Sequence, residues 1–332
     1  MKRVGYLTDD IADLENLRLA FWKAKKGKAG KEEVIAFGAN LDKNLLSLSE
    51  EISAGAVSVG DYYYFKVYDP KERLICAANF RERVLHHALM NVCGPVFEKF
   101  QIEDSYATRV GKGQFSALEK VKRWVRGGEW FCKLDVRKYF DSINHEILYK
   151  QLCNRFKDGR LLAVFRQIID SYSAAPGRGV PIGNLTSQYF ANLYLAYLDH
   201  FAKERLGVKR YARYMDDVVM LHSSKDKLMN YAKCVRGYCE RELMLELKPV
   251  CLNVAEKGLP FLGYVLFPGA VRLSKSSKKR FLSKHERYAK KLRAGVWSQK
   301  EYARHAEPLF AFTRFADSLS LRRYAIDKTE AG

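Results

Sequence analysis

The sequence predicts an α+β protein built on a small antiparallel sheet, and three observations carry that expectation. In Tyr211-Ala-Arg-Tyr-Met-Asp-Asp-Val-Val-Met-Leu, two adjacent carboxylates, Asp216 and Asp217, sit between short β-prone runs, the pattern of a hairpin with acids at its turn. In Phe131-Cys-Lys-Leu-Asp-Val-Arg-Lys-Tyr-Phe-Asp, a single acid, Asp135, ends another strand-like run. Around these runs, apolar residues recur at spacings of three and four, the helical period. An Asp-Asp turn alone is ordinary, because Asp bonds its own nearby backbone. Its meaning depends on whether Asp135 lies beside it.

Composition narrows the class. The chain has 332 residues and is 48% hydrophobic, enough for a core and for two or three subdomains. Its 58 Lys+Arg against 38 Asp+Glu give a net charge of +20. A solvated basic surface accounts for part of this, but so large an excess favours a polyanion partner, with anionic membrane as the rival to nucleic acid. No apolar run approaches the roughly 18 residues of a spanning helix, and no signal-peptide core opens the chain. The expectation is a soluble, cytoplasmic protein with no membrane partner. Seven scattered cysteines read as buried thiols, since Cys234 and Cys239 have no matching second pair for zinc.

Element by element, residues 8–26 predict a helix capped by Thr8, Asp9 or Asp10, with Ile11, Leu14, Leu17 and Phe21 on one face. Its basic end, Lys23-Ala-Lys-Lys-Gly-Lys, suits either a helix C-terminus or a phosphate. A second helix is expected over 31–54, stopped by Gly55. Residues 62–68 and 73–78 read as a hairpin around Asp69-Pro70, with Lys66 and Arg73 as its cations. A helix over 80–92 is expected to break at Gly94-Pro95. Arg109 and Lys112, beside two glycines, can approach a nucleic-acid backbone, and a helix follows over 114–126. Strand 130–136 delivers Asp135, and Asp141 is expected to cap a helix over 143–152. Phe140 is either a core aromatic or a plate under a nucleotide sugar.

A Gly/Pro loop over 174–183 then enters a helix from about 184 to 206, a natural place for phosphate or polar recognition. After the acidic hairpin, a helix over 226–246 leads to Lys248, read as a surface lysine or as a proton donor to a leaving group. Residues 259–267 form another short hairpin. From Arg272 to Arg293 there are ten Lys/Arg and one Glu, and a helix so one-signed repels itself without a polyanion. A last helix is expected over about 298–317.

Two strand-borne acidic sites side by side can hold two Mg²⁺ ions, which take oxygen ligands and keep water and phosphate as the remainder. Such a pair clamps the attacking and leaving oxygens of phosphoryl transfer. Taken together and in order, the segments resemble a reverse transcriptase over about residues 8–320. Asp135 with Phe140 matches the first palm motif, Pro181-Ile-Gly-Asn-Leu-Thr-Ser-Gln the second, and Tyr214-Met-Asp-Asp the third. Lys248 falls in the fourth, Phe261-Leu262-Gly263 matches the primer grip, and the basic helix after it resembles a thumb. The resemblance implies a right hand: fingers after an N-terminal extension (1–129), an antiparallel palm (130–270, with a fingers insertion at 144–175), and a helical thumb (271–332).

It also implies roles. Asp135, Asp216 and Asp217 would be the catalytic acids and, with the Val136 carbonyl, would bind two Mg²⁺, with Mn²⁺ as a possible substitute. Arg73 and Lys66 would hold the triphosphate of a dNTP, Phe140 would gate the sugar, and Ile182, Gly183, Gln188 and Lys248 would line the nucleotide pocket. Arg109, Lys112, Lys275, Lys278, Lys279 and Arg280 would contact template RNA or the cDNA/primer strand.

Within the second motif, most reverse transcriptases carry Gln before the Gly and Pro after the Ser. Here those positions hold Ile182 and Gln188, and the string resembles the reverse transcriptases of diversity-generating retroelements of phages and bacteria. That resemblance implies error-prone cDNA synthesis, mutated mainly at template adenines, with a small accessory protein that forms a basic pentameric barrel. An isoleucine can only pack where an amide could align the incoming nucleotide, which weakens discrimination of right from wrong. The rival readings are another prokaryotic reverse transcriptase (retron, group II intron-like or phage-defence) and a non-catalytic RNA-binding scaffold.

Overall fold

The structure, a computed structural model, describes residues 2–68 and 72–330. The expected turn at Asp69-Pro70 lies outside the described residues. The first two expected helices are each divided. α1 (Thr8–Ala12) and α2 (Leu14–Lys25) part at Asp13, whose extended backbone stops one helix and whose carboxylate accepts the Glu15 and Asn16 N–H groups to start the next. α3 (Glu32–Ala39) and α4 (Leu41–Ala54) part at Asn40. The apolar period runs across both breaks because Ile11, Leu17, Phe21, Val34, Phe37, Leu45, Leu48 and Ile52 feed one core.

β1 (Tyr62–Tyr68) and β2 (Glu72–Ala78) form a two-stranded antiparallel hairpin. α5 (Phe80–Phe100) runs through Gly94-Pro95, where a break was expected. An interior proline loses a hydrogen bond and crowds the preceding turn. Tertiary burial outweighs this, since Val84, Leu85, Ala88, Leu89, Cys93 and Phe97 are all buried along its length. α6 (Gln114–Val125) follows, then β3 (Trp130–Leu134), α7 (Tyr139–Ser142), α8 (His145–Cys153), α9 (Gly159–Asp170) and α10 (Leu185–His200), which ends in a π-helical turn over Phe201–Arg205. Asn144, not Asp141, caps α8, accepting the Ile147 N–H; Asp141 lies inside α7. Next come β4 (Arg210–Tyr214), β5 (Asp217–His222), α11 (Lys225–Glu242) and β6 (Cys251–Val254). β7 (Leu259–Phe261), β8 (Tyr264–Leu266) and β9 (Val271–Leu273) make a third sheet, and α12 (Lys275–Arg293), α13 (Gln299–Arg314) and α14 (Leu319–Glu330) close the chain. The sequence did not signal β9 or α14.

The central sheet has the order β4-β5-β3-β6, antiparallel throughout. Alternation along the strands gives it two buried faces. Cys132, Leu134, Tyr211, Val218 and Met220 join the larger core. Phe131, Ala212, Val219 and Leu221 meet α6 and the β7–β9 sheet in a second core. α6 packs on β4, and a bridge between Ser105 and Arg213 extends the same edge. The stretch leading into β3 therefore packs against the central sheet. No helix among the described residues is long and apolar enough to cross a membrane.

Candidate active site

The acidic hairpin closes as tightly as two strands allow. Tyr214 pairs with Asp217, leaving Met215 and Asp216 as a two-residue turn. Met215 has φ of 52°, the left-handed region that hairpin turns of this length require. For a residue with a Cβ this conformation costs roughly 1–2 kcal/mol. The turn is held from beneath. Arg213 Nη1 donates to the Met215 carbonyl at 3.0 Å, and the Arg213 guanidinium is fully buried against Asp199, at 2.7 Å from Nε and 2.6 Å from Nη2. Tyr211 Oη donates to the same carboxylate at 2.6 Å, Asn192 Oδ1 also accepts from Arg213 Nη1, and Ser105 Oγ also accepts from Nη2.

Asp135 arrives from the neighbouring strand. Leu134 pairs with Val218, so one step further along the ladder Asp135 stands across from Asp217, on the same face of the sheet. On the other side, Val136 bridges Leu247 through two flanking bonds, Arg137 N–H to the Glu246 carbonyl and Lys248 N–H to the Asp135 carbonyl. Those bonds do not use the Val136 carbonyl.

Two lysines stand among the acids. Lys248 Nζ donates to Asp135 Oδ2 at 2.7 Å, which brings this partly exposed lysine to the acids. Lys133 Nζ lies 2.8 Å from Asp217 Oδ1. Burial, then the charges of Asp135 and Asp217, push the Asp216 carboxyl up to about 6. Asp217 is also raised, first by burial, with Lys133 opposing.

Among the described residues no group of three His, Cys, Asp or Glu side chains is arranged to hold a metal ion. The expected triad of metal ligands is thus brought together at one end of the two central strands without forming a ready cage, and Lys133 and Lys248 engage two of its members. The donors nonetheless fit a hard cation. Asp135 Oδ1 is buried with no hydrogen-bond partner, Asp217 Oδ1 is buried and only ion-paired, and burial, then repulsion by Asp135 and Asp217, disfavours an uncompensated charge on Asp216.

The second motif packs against the hairpin. The Ile182 carbonyl accepts the Cys76 N–H at 2.8 Å, and Asn184 Oδ1 accepts the Ala78 N–H at 3.1 Å, so the loop before α10 is stitched to β2. Gly183 has φ of 126°, and a Cβ there would come within 2.9 Å of Ile75 Cγ2. Gln188 sits half-buried in the first turns of α10. Phe140, on α7, is packed at the edge of the larger core, and its carbonyl accepts the Val180 N–H at 2.9 Å, tying the Gly/Pro loop to the short helix that follows Asp135.

Other expected contacts are relocated. Lys66 pairs with Leu74 and Arg73 with Val67, so strand alternation puts the two cations on opposite faces of the hairpin. They cannot grip one triphosphate from the same side, and Lys66 is held by Glu72 at 2.7 Å. Arg109 does not reach outward. It is bound to Glu98 at 2.6 Å and to the carbonyls of Ile102 and Ser105, with 7% of its side chain exposed. Lys112 is likewise drawn in, bonded to the Glu103 carboxylate at 2.7 Å and to its carbonyl. Both bind the polypeptide because the loop folds back over its own polar groups.

In the β7–β8 turn, Leu262 and Gly263 both take left-handed φ values, with Phe261 buried below. Gln114 donates to the Leu262 carbonyl, and a Cβ on Gly263 would come within 2.8 Å of Ser277 Oγ in α12. Lys275, Lys278 and Lys279 project from α12 into solvent, while Arg280 lies over the Phe312 ring.

Lys133, Arg213 and Asp199 were missed in the sequence. Lys133 was findable, because two residues before Asp135 in a strand means the same face. Arg213 at an inward strand position and Asp199 in an apolar helix are each a charge that burial makes untenable alone; nothing local said that they pair.

Comparison with known proteins agrees with this architecture. The model of the family described as reverse transcriptase (RNA-dependent DNA polymerase) matches residues 68–266, well over half of the chain. The chain belongs to that family, and its fold is the reverse transcriptase fold. Among curated relatives, it is 25% identical over 185 residues to an uncharacterized 91 kDa protein in a cob intron of Schizosaccharomyces pombe, covering 53% of this chain and 23% of that protein. It is 24% identical to protein YkfC of Escherichia coli, covering 60% of this chain and 66% of that one. To the group II intron-encoded protein LtrA of Lactococcus lactis it is 23% identical, covering 55% and 32%. The chain thus spans only part of the length of these relatives. Among solved structures, telomerase from Candida tropicalis in complex with a fragment of telomeric RNA has a TM-score of 0.48 at 12% identity, covering 81% of this chain and 57% of that one.

Proposed function

We propose that this chain is an RNA-directed DNA polymerase that extends a primer along template RNA by in-line attack of the 3′-hydroxyl on a dNTP, with pyrophosphate leaving. The observation that carries the reading is the convergence of Asp135, Asp216 and Asp217 at one end of the two central strands of an antiparallel sheet, with unsatisfied oxygens on Asp135 and Asp217. Two Mg²⁺ ions, or Mn²⁺ in their place, would be held by these acids and the Val136 carbonyl, and when bound they supply positive charge to the reacting oxygens.

The chain's own residues position and shield. Asp135 would exchange its ion pair with Lys248 for the metal, and the freed ammonium stands beside the site as a proton source for the leaving pyrophosphate. Arg73 would bind the triphosphate from its side of the hairpin. Phe140 would exclude a 2′-hydroxyl, and the second-motif loop, stitched to β2, would position the nucleotide. Most of the rate enhancement would come from positioning and electrostatics, as phosphoryl transfer requires.

Within the family we assign the chain to the diversity-generating retroelements. Ile182 supports this, offering only an aliphatic side chain where an amide could align a nucleotide, in a loop whose carbonyl is already engaged by the Cys76 N–H. The implied partner is a small accessory protein in the form of a basic pentameric barrel, and the implied workplace is the cytoplasm. The curated relatives support a second reading, a group II intron-like enzyme, since one of them is encoded in such an intron.

Primer extension on an RNA template tests the activity. Asp216→Asn and Asp217→Asn are expected to lose extension by at least 100-fold while RNA binding persists. Wild-type extension in both would overturn the assignment. An adenine-differing repeat pair in the flanking genome supports the subgroup; a structured intron RNA there would favour the second reading.

A further inference from the structure

Of the two lysines among the acids, Lys248 has a part in the proposed chemistry and Lys133 has none. Lys133 lies in β3 two residues before Asp135, so both side chains leave the same face of the sheet. At about 3.3 Å per residue, its Cα stands about 7 Å back along the strand from that of Asp135. Two residues further back on that face, Phe131 is buried in the second core with Phe261 and Tyr264 of the β7–β8 hairpin. Lys133 thus occupies the strand face between the acids and the core beneath the β7–β8 turn.

Its surroundings offer it a single anion. Nζ lies 2.8 Å from Asp217 Oδ1, and the two side chains are 21% and 24% exposed. Its cross-strand neighbours are Val219 on β5 and Cys251 on β6, neither of them a carboxylate. Asp135, the next acid on the face, is held by Lys248. Among the described residues Lys133 pairs with no carboxylate but Asp217.

Asp217 Oδ1 cannot serve both Lys133 and a metal ion. A divalent cation beside the acids repels the ammonium and claims its acceptor. A half-buried ammonium stripped of its partner is costly unless another anion meets it. A primer whose 3′-hydroxyl lies at the acids and whose strand runs to the β7–β8 turn passes over this face. Each nucleotide of a strand adds about 3.4 Å of rise and one negative charge. A lysine rooted about 7 Å behind Asp135, with its tip at Asp217, therefore spans the linkage nearest the reacting end.

We propose, on the reading of the chain as a polymerase, that Lys133 is a primer-binding residue: its ammonium leaves Asp217 and binds the phosphodiester joining the last two primer nucleotides. Primer end and metal ion then favour each other, since each takes one half of the Lys133–Asp217 pair, and the coupling is reciprocal.

The test uses the full chain and an RNA template annealed to a DNA primer. No dNTP is present, so fluorescence anisotropy reads binding without turnover. The primer carries a neutral methylphosphonate at its last linkage or, as a control, at the fifth from its end. In Mg²⁺ the wild type is expected to bind the end-modified primer about tenfold more weakly than the unmodified one, and Lys133→Met less than about twofold, the difference being one charge-assisted contact. Lys133→Arg is expected to recover most of the wild-type response. In EDTA, where Lys133 stays on Asp217, the wild-type penalty is expected to fall to that of Lys133→Met. The control linkage weakens both proteins alike. An equal penalty in wild type and Lys133→Met, or a wild-type penalty unchanged by EDTA, overturns the assignment. Should Lys133→Met not fold, Lys133→Gln, which keeps a donor for Asp217 without the charge, carries the same comparison. A wild type that binds the primer and template but extends nothing once dNTPs are added removes the polymerase reading itself, and the proposal with it.

Discussion

Asp216→Asn is expected to stabilise the metal-free protein while removing its activity. In the folded chain the Asp216 carboxyl is pushed from 3.8 to about 6, by burial and then by Asp135 and Asp217. A raised carboxylate favours folding while protonated, and that benefit is lost as pH rises through the folded value. Below about pH 4 both folded and unfolded forms are protonated and there is no penalty; above about pH 6 to 7 the full penalty applies. At about 1.4 kcal/mol per pKa unit, with allowance for partial exposure, the penalty is about 2–3 kcal/mol. Asparagine keeps the shape and removes the charge.

The assay is thermal unfolding in excess EDTA at pH 4 and pH 7.5, wild type against variant. The variant is expected to melt roughly 5 °C higher at pH 7.5 and equally at pH 4. Magnesium is expected to raise the wild-type midpoint and not that of the variant. Equal midpoints at pH 7.5, or a lower one for the variant, would refute the electrostatic account of the site.

Two further outcomes follow from the same geometry. Ile182→Gln is expected to reduce misincorporation opposite template adenine severalfold by offering an amide to the nucleotide; an unchanged error spectrum in sequenced products removes that role from Ile182. Asp199→Ala leaves the Arg213 charge buried and alone, expected to lower stability by about 3–5 kcal/mol and to loosen the Met215 turn. Denaturant unfolding unchanged within 1 kcal/mol would show that Arg213 does not depend on Asp199.

Sequence reading reached the acids because their signals are local. A strand alternates, a two-residue hairpin turn admits few residues, and both leave their mark within ten positions. The helical stretches were legible for the same reason, but their breaks at Asp13 and Asn40 were not. Apolar spacing reports which residues face the core and carries no mark of where the axis bends. Gly94-Pro95 misled in the opposite sense: local chemistry predicts an end, and burial on either side of it keeps α5 whole.

What the sequence by itself determined is the pattern of strands and acids, and with it the family. What only the tertiary structure decided is which charges meet. Lys248 lies on Asp135, Arg213 on Asp199, and Arg109 turns inward to Glu98, while Lys66 and Arg73 part across the hairpin. Residues this far apart in the chain have no common local signal. Their pairing is set by strand register and by the penalty on a buried charge, and both exist only once the chain has folded.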